Sequence, residues 1–337
     1  MTSDILTEPV AAANVWRGDE LSDSSQWLIY FSEDDVADLE RALAHVSRMN
    51  IGDFTEIRAE DFPLTHFRDR IDDVVNRLEH GLGLVLLRGL PIYERFNERE
   101  AAIISWGLGQ HMGDLVPQNR KGDLLGHIRD LGRRGPYERT YATNEGLGFH
   151  TDSTDYVSLT CLRPALHGGE SFVASSGLLY NLVRDEHPEY LPILFKNFPT
   201  DWRGEELPGS SGWYLEPFFS YYGGVLSATI RTGRAMAAMR FPDVPRLTAD
   251  EVSCIMYLDS LAKRPGLALG MTLQTGDLQF VNNFVVVHDR TPFVDDPEDP
   301  ARQRHLLRLW ISRPDGGRPL CPEYAVWRKG YPVQVAG

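Results

Sequence analysis

The run Gly148-Phe149-His150-Thr151-Asp152-Ser153-Thr154-Asp155-Tyr156-Val157-Ser158-Leu159-Thr160-Cys161-Leu162 marks the point where the chain changes character. Beyond it, short apolar or alternating segments recur at Val157–Leu162, Ser171–Ala174, Val225–Thr229, Leu278–Val281, Val285–Val287 and Leu306–Ser312. Each has the length and spacing of a strand. One helix interrupts them, predicted from a Thr248/Glu251 capping box to Ala262. Upstream the pattern is helical. Ser32 and Asp35 read as a capping box, followed by Val36, Leu39, Leu43 and Val46 at helical spacing. Ile71, Val74, Val75 and Leu78 mark a second amphipathic helix ended by Gly81, and Asn97 caps a third through Trp106. Between them, Gly83-Leu-Val-Leu-Leu-Arg88-Gly89 reads as a buried strand. Many short strands after a helical section predict an α+β fold with a mainly β core, an antiparallel double sheet or barrel with helices packed outside it. No linker cuts the chain. It reads as a single domain over 1–337, with a helical section at about 1–110 and the β core at about 144–315. From Gln118 to Thr143 periodicity is lost to charges, glycines and a proline, the pattern of a long loop or lid.

Composition narrows the function. The 337 residues are 42% hydrophobic and 24% charged, ordinary for a globular protein. The formal charge is −14, and no Lys/Arg run suggests a nucleic-acid partner. The three cysteines are too few and too scattered for a disulfide framework or a Cys-x-x-Cys metal pair. No segment approaches the roughly 18 apolar residues of a membrane span, and no basic-then-apolar leader opens the chain. A cytoplasmic protein with a small-molecule partner is expected; the sequence leaves homo-oligomerisation open.

His150-Thr151-Asp152 is the most informative tripeptide. In a strand, residues i and i+2 share a face, so His150 and Asp152 can reach one ion while Thr151 points away. His288 follows the apolar run Phe284–Val287 and is expected near the end of another strand. Two histidines and a carboxylate on a β-scaffold form the facial triad of non-haem Fe(II) oxygenases, which leaves coordination positions open. Alone, a His-x-Asp triplet is weak: the alternative has His150 as a surface strand residue and Asp152 as a turn former. Downstream, Arg304, Leu306, Arg308 and Trp310 alternate with His305, Leu307 and Leu309, placing two guanidinium groups on one strand face. Such a buried cation needs a partner. A dicarboxylate can supply it, with Ser171 of Gly168-Gly-Glu-Ser171 adding a hydroxyl. The structural alternative is an ion pair with Asp289, Asp295 or Asp296.

With these motifs in order, the chain resembles the taurine dioxygenase/TfdA-like family of Fe(II)/2-oxoglutarate-dependent oxygenases. Leu108-Gly-Gln-His-Met-Gly113, Pro117-Gln-Asn119, Gly148–Asp152, Gly168–Ser171, Asn282-Asn283 and Arg304-His-Leu-Leu-Arg308-Leu-Trp310 carry the resemblance over most of the chain. It implies a double-stranded β-helix (jelly roll) with buttressing helices, and a catalytic metal centre in which His150, Asp152 and His288 hold Fe(II). It also implies Ser171 and Arg304 on 2-oxoglutarate, with dioxygen as the second cosubstrate and succinate and CO2 as co-products. Ser171 stands where relatives often carry Thr, which keeps the hydroxyl. Asp152 favours hydroxylation over halogenation, since halogenating relatives carry a small residue there. For the substrate, Arg231 and Arg308 are candidates to meet an anionic group, and Tyr221, Tyr222, Trp202 and Trp213 are candidate walls that could hold a cation. A metal-dependent hydrolase, a non-catalytic jelly-roll binding module and a protein-modifying oxygenase are the competing readings.

Overall fold

A computed structural model describes residues 5–49, 51–132, 143–296, 298–299, 302–315 and 317–333. Its frame is a seven-stranded sheet in the order Leu28–Tyr30, Leu84–Arg88, Leu278–Asn282, Tyr156–Arg163, His305–Ser312, Asp114–Leu115, with Leu125–Ile128 also paired to His305–Ser312. All its pairings are antiparallel except that between Leu28–Tyr30 and Leu84–Arg88. A smaller antiparallel sheet holds Ala268–Met271, Ser171–Ser175 and Val286–Arg290. Three two-stranded ladders complete the β structure among the described residues.

The period of two along each strand sorts residues into layers. On Leu84–Arg88, Val85 and Leu87 face helices Glu33–Arg48, Phe67–His80 and Glu98–Met112, while Leu84 and Leu86 face the smaller sheet. On His305–Ser312, Leu307, Leu309 and Ile311 join the helices, and Leu306 and Trp310 point between the sheets with Val157, Val173, Met271 and Val286. Beyond the smaller sheet, Ala174 and Val287 pack with helices Ser176–Glu186 and Ala249–Leu261. The result is helix, sheet, sheet, helix, the jelly-roll arrangement with outer helices. Burying each large aliphatic side chain in these layers contributes about 1.5–3 kcal/mol. Leu84–Arg88 therefore lacks polar alternation because both its faces are covered.

The capping boxes at Ser32/Asp35, Asn97/Glu100 and Thr248/Glu251 all form, and Gly81 ends its helix as expected. Several boundaries and elements differ. The third helix runs past Trp106 to Met112, because Leu108 and Met112 continue its buried side. Helix Ser176–Glu186 was not anticipated; Ser175 caps it, and its opening Ser-Gly pair hides the later Leu179, Tyr180 and Val183. The segment 118–143 is not one loop: Leu125–Ile128 adds a strand against Leu306–Leu309, and 133–142 lie outside the described residues. His288 sits mid-strand in Val286–Arg290 rather than at a strand end.

Candidate active site

The metal motif is not in a regular strand. His150 makes an isolated antiparallel bridge to His288, with backbone N–H···O distances of 3.0 and 2.9 Å in the two directions. The chain then bends. Asp152 N–H donates to Asn283 Oδ1 at 3.0 Å, and Thr151 N–H to the Ile230 carbonyl at 3.0 Å. Turning, rather than pleating, brings the Asp152 carboxylate toward both imidazoles. The candidate ligand atoms of His150, Asp152 and His288 lie within 4.8 Å of one another, the one such group among the described residues.

The three side chains are prepared to bind a cation. His150 Nδ1 sits 2.8 Å from the Gly148 carbonyl, so it carries the proton, and Nε2 is left facing Asp152 Oδ1 at 4.0 Å. Asp152 Oδ2 accepts from Arg308 Nη1 at 3.1 Å and Trp310 Nε1 at 3.0 Å, which leaves Oδ1 for a metal. Burial would raise the Asp152 carboxyl, but Arg308, the two histidines and the Trp310 hydrogen bond override it and hold it well below the usual carboxylate range. Burial pushes His150 down and His288 to about 3. Two neutral imidazoles and a carboxylate are the donor set of an iron facial triad. The residues fit the ion that the sequence implies.

One cleft holds this triad together with Ser171, Arg290, Arg304 and Arg308. Arg304 is 5% exposed, its Nη1 has no hydrogen-bond partner among the described residues, and burial lowers it to about 10. None of the acidic candidates forms an ion pair with it; Asp295 only accepts from its backbone N–H at 2.8 Å. Ser171 Oγ contacts the Gln279 amide at 3.0 and 3.2 Å.

Sequence reasoning missed Arg290. It lies two residues after His288 on the same strand face, and the register pairs it directly with Ser171. Arg290 is 4% exposed, its Nη2 donates to the carbonyls of Thr143 and Glu145, and its Nε and Nη1 have no partner among the described residues. Burial, and then the charge of Arg304, depress it to about 10. The Arg290 and Arg304 guanidinium groups lie 4.8 and 5.1 Å from the Phe293 ring centroid. The sequence signal was the His288-x-Arg290 spacing, the same i, i+2 logic as His150-x-Asp152.

The two residues expected to meet substrate are engaged otherwise. Arg308 donates to Asp152 and, at 2.7 Å, to Gln118 Oε1, so it braces the metal ligand. Arg231 forms a fully buried pair with Glu216 at 2.6 Å and donates to the carbonyls of Thr151 (3.2 Å) and Asp152 (2.8 Å). Burial alone would depress Arg231, but Glu216 raises it above its ordinary value. The aromatic cage exists, with a different membership and occupant: Trp202, Tyr214, Trp327 and Tyr331 cluster at centroid distances of 4.3–5.8 Å, with Arg231 at 5.0 Å from Trp327. None of the four expected wall residues, Tyr221, Tyr222, Trp202 and Trp213, lines the cleft.

Comparison with known proteins bears on family and fold. Residues 50–310 match the family described as taurine catabolism dioxygenase TauD, TfdA family. The chain is similar to FR-33289 synthase of Streptomyces rubellomurinus, with 33% identity over 323 residues, 93% of each chain. Among solved structures, asparagine oxygenase in complex with Fe(II), 2S,3S-3-hydroxyasparagine and succinate shares the fold with a TM-score of 0.66. That match has 17% identity and covers 85% of this chain and 93% of the other. The non-haem iron oxygenase OrfP in complex with Fe and alpha-ketoglutaric acid matches with a TM-score of 0.59 and 15% identity, covering 85% and 94%.

Proposed function

We propose how this chain works from one premise: it belongs to the TauD, TfdA family of dioxygenases. It is an oxidoreductase that uses Fe(II), 2-oxoglutarate and dioxygen to hydroxylate an unactivated C–H bond of a small molecule. When bound, the iron and its two cosubstrates supply the oxidation, releasing succinate and CO2. The protein's part is placement. His150, Asp152 and His288 would hold the iron, with Arg308 and Trp310 fixing which Asp152 oxygen faces it. Arg231 would hold the Thr151–Asp152 backbone in its turned shape.

The single observation that carries the cosubstrate assignment is a pair of buried guanidinium groups, Arg290 and Arg304, that line one cleft with Ser171 and have N–H groups without a partner among the described residues. Two such cations are costly to bury without an anion. The distal carboxylate of 2-oxoglutarate supplies one and can accept from Arg304, Arg290 and the Ser171 hydroxyl. A hydrolytic metal site would have no use for them.

The test is substrate-stimulated succinate formation by the Fe(II)-loaded enzyme in the presence of fractionated metabolite pools. Wild type should turn over 2-oxoglutarate faster with one fraction, and His288→Ala should not respond. Activity indifferent to 2-oxoglutarate would overturn the reading.

A further inference from the structure

We propose that Gln279 is a positioning residue for the cosubstrate: it turns the Ser171 hydroxyl into a fixed donor for the distal carboxylate of 2-oxoglutarate. The inference rests on the 2-oxoglutarate reading above and deepens it.

Gln279 stands in an apolar place. It lies on strand Leu278–Asn282 of the larger sheet, where Leu278 and Phe280 face the helices and Gln279 and Val281 face the smaller sheet. Its lateral neighbours in the sheet are Leu86 and Leu159, and both belong to the apolar layer between the sheets. A buried amide there is costly unless it is hydrogen-bonded. A leucine or methionine would fill the same space without that cost, so the fold by itself gives no reason for a glutamine.

What the amide does is reach across to the smaller sheet. Its Nε2 donates to Ser171 Oγ at 3.0 Å and to Met271 Sδ at 3.1 Å, and Met271 is the register partner of Ser171. A thioether sulfur can only accept, which identifies the nitrogen end of the amide. Both Nε2 hydrogens are thereby used, and Ser171 Oγ receives one of them. The serine hydroxyl still has one proton of its own to donate. Gln279 Oε1 lies 3.2 Å from Oγ, longer than an ordinary O–H···O bond. That weak contact is readily exchanged for a carboxylate oxygen, to which the bond is charge-assisted. Serine also lacks the second Cβ branch that would fix its χ1 rotamer, so the amide supplies the restraint. Ser171 lines the cleft and Gln279 does not, so the glutamine acts on the ligand through the serine.

The test is an anaerobic titration of the Fe(II)-loaded protein with 2-oxoglutarate, read from the charge-transfer band of the complex. A parallel titration uses 2-oxobutyrate, which keeps the chelating end and lacks the distal carboxylate. Gln279→Met preserves length and removes the amide. It should weaken 2-oxoglutarate binding about fivefold, the worth of one neutral hydrogen bond, and leave 2-oxobutyrate and Fe(II) affinities unchanged. Ser171→Ala should weaken 2-oxoglutarate at least as much. The double variant should lose no more than Ser171→Ala alone, because the two changes remove one interaction. Unchanged 2-oxoglutarate affinity in folded Gln279→Met overturns the inference, as do additive losses or an equal loss for 2-oxobutyrate. Gln279→Leu repeats the measurement if the methionine variant does not fold; if neither folds, the glutamine serves the fold and the inference falls. Failure of wild type to bind 2-oxoglutarate at all would instead overturn the preceding section.

Discussion

Two sets of arginines line the same cleft and are treated in opposite ways. Arg231 and Arg308 are buried with their carboxylates, Glu216 and Asp152, and also donate to backbone or amide oxygens. Arg290 and Arg304 are equally buried, yet have N–H groups without a partner among the described residues. A buried pair is part of the scaffold, since removing either partner strands a charge. A buried cation left unpaired is stable only marginally, and its partner is expected from outside the chain. We propose that the difference separates residues that shape the site from those that would hold its ligands, which residue type alone did not.

The largest expected effect falls on the metal set. His150→Ala, Asp152→Ala or His288→Ala should remove measurable Fe(II) binding in an anaerobic titration while leaving the circular dichroism spectrum of the fold in place. Wild-type-like binding by the His288 variant would reassign the third ligand and weaken the contrast at its centre.

Breaking the paired set should cost stability. Glu216→Leu leaves Arg231 buried and unpaired, and should destabilise the protein by about 3–5 kcal/mol in denaturant unfolding. A loss below 1 kcal/mol would mean that Arg231 finds another partner, and the scaffold assignment would fail.

The unpaired set should answer in affinity instead. Arg304→Leu should weaken 2-oxoglutarate binding at least about tenfold, the factor that 1.4 kcal/mol gives, with Fe(II) affinity little changed. Arg290→Leu should act in the same direction. Either replacement also removes one of two neighbouring buried cations, so the ligand-free protein should be no less stable than wild type. Titration of the charge-transfer band of the Fe(II)–2-oxoglutarate complex checks the first claim and thermal unfolding the second. If Arg304→Leu leaves 2-oxoglutarate affinity unchanged, the anion assignment is wrong.

A separate effect is a pH dependence outside the cleft. His305 is 6% exposed, and its Nε2 lies 2.8 Å from His127 Nδ1. Burial first, then His127, Arg129 and Arg163, lower it to about 4. The unfolded chain takes up this proton near pH 6.5, before the folded protein does. Stability should therefore fall as pH drops from 6.5 toward 4, by at most about 1.4 kcal/mol per unit from this group. His305→Asn should flatten that slope when denaturant midpoints are compared at pH 7 and pH 5; an unchanged slope assigns the dependence to other groups.

What could be read from the chain alone followed from local rules. Helix caps are short-range hydrogen bonds, so Ser32, Asn97 and Thr248 announced their helices. Strand parity placed Arg304 and Arg308 on one face because Cβ direction alternates whatever the neighbours are. The metal set was named from His150-x-Asp152 and a distal histidine, although the assumed strand geometry was not how the residues meet. Tertiary structure alone decided the partners. Glu216 lies 15 residues from Arg231, and Asp152 lies 156 residues from Arg308. Long-range pairing depends on which strands become neighbours, and no local pattern records that. The roles of the arginines followed from it: Arg308 and Arg231 were expected at the substrate and are held by carboxylates of the chain. Arg290, which parity would have placed beside His288, is set apart only by the fold, which gives its Nε and Nη1 no partner among the described residues.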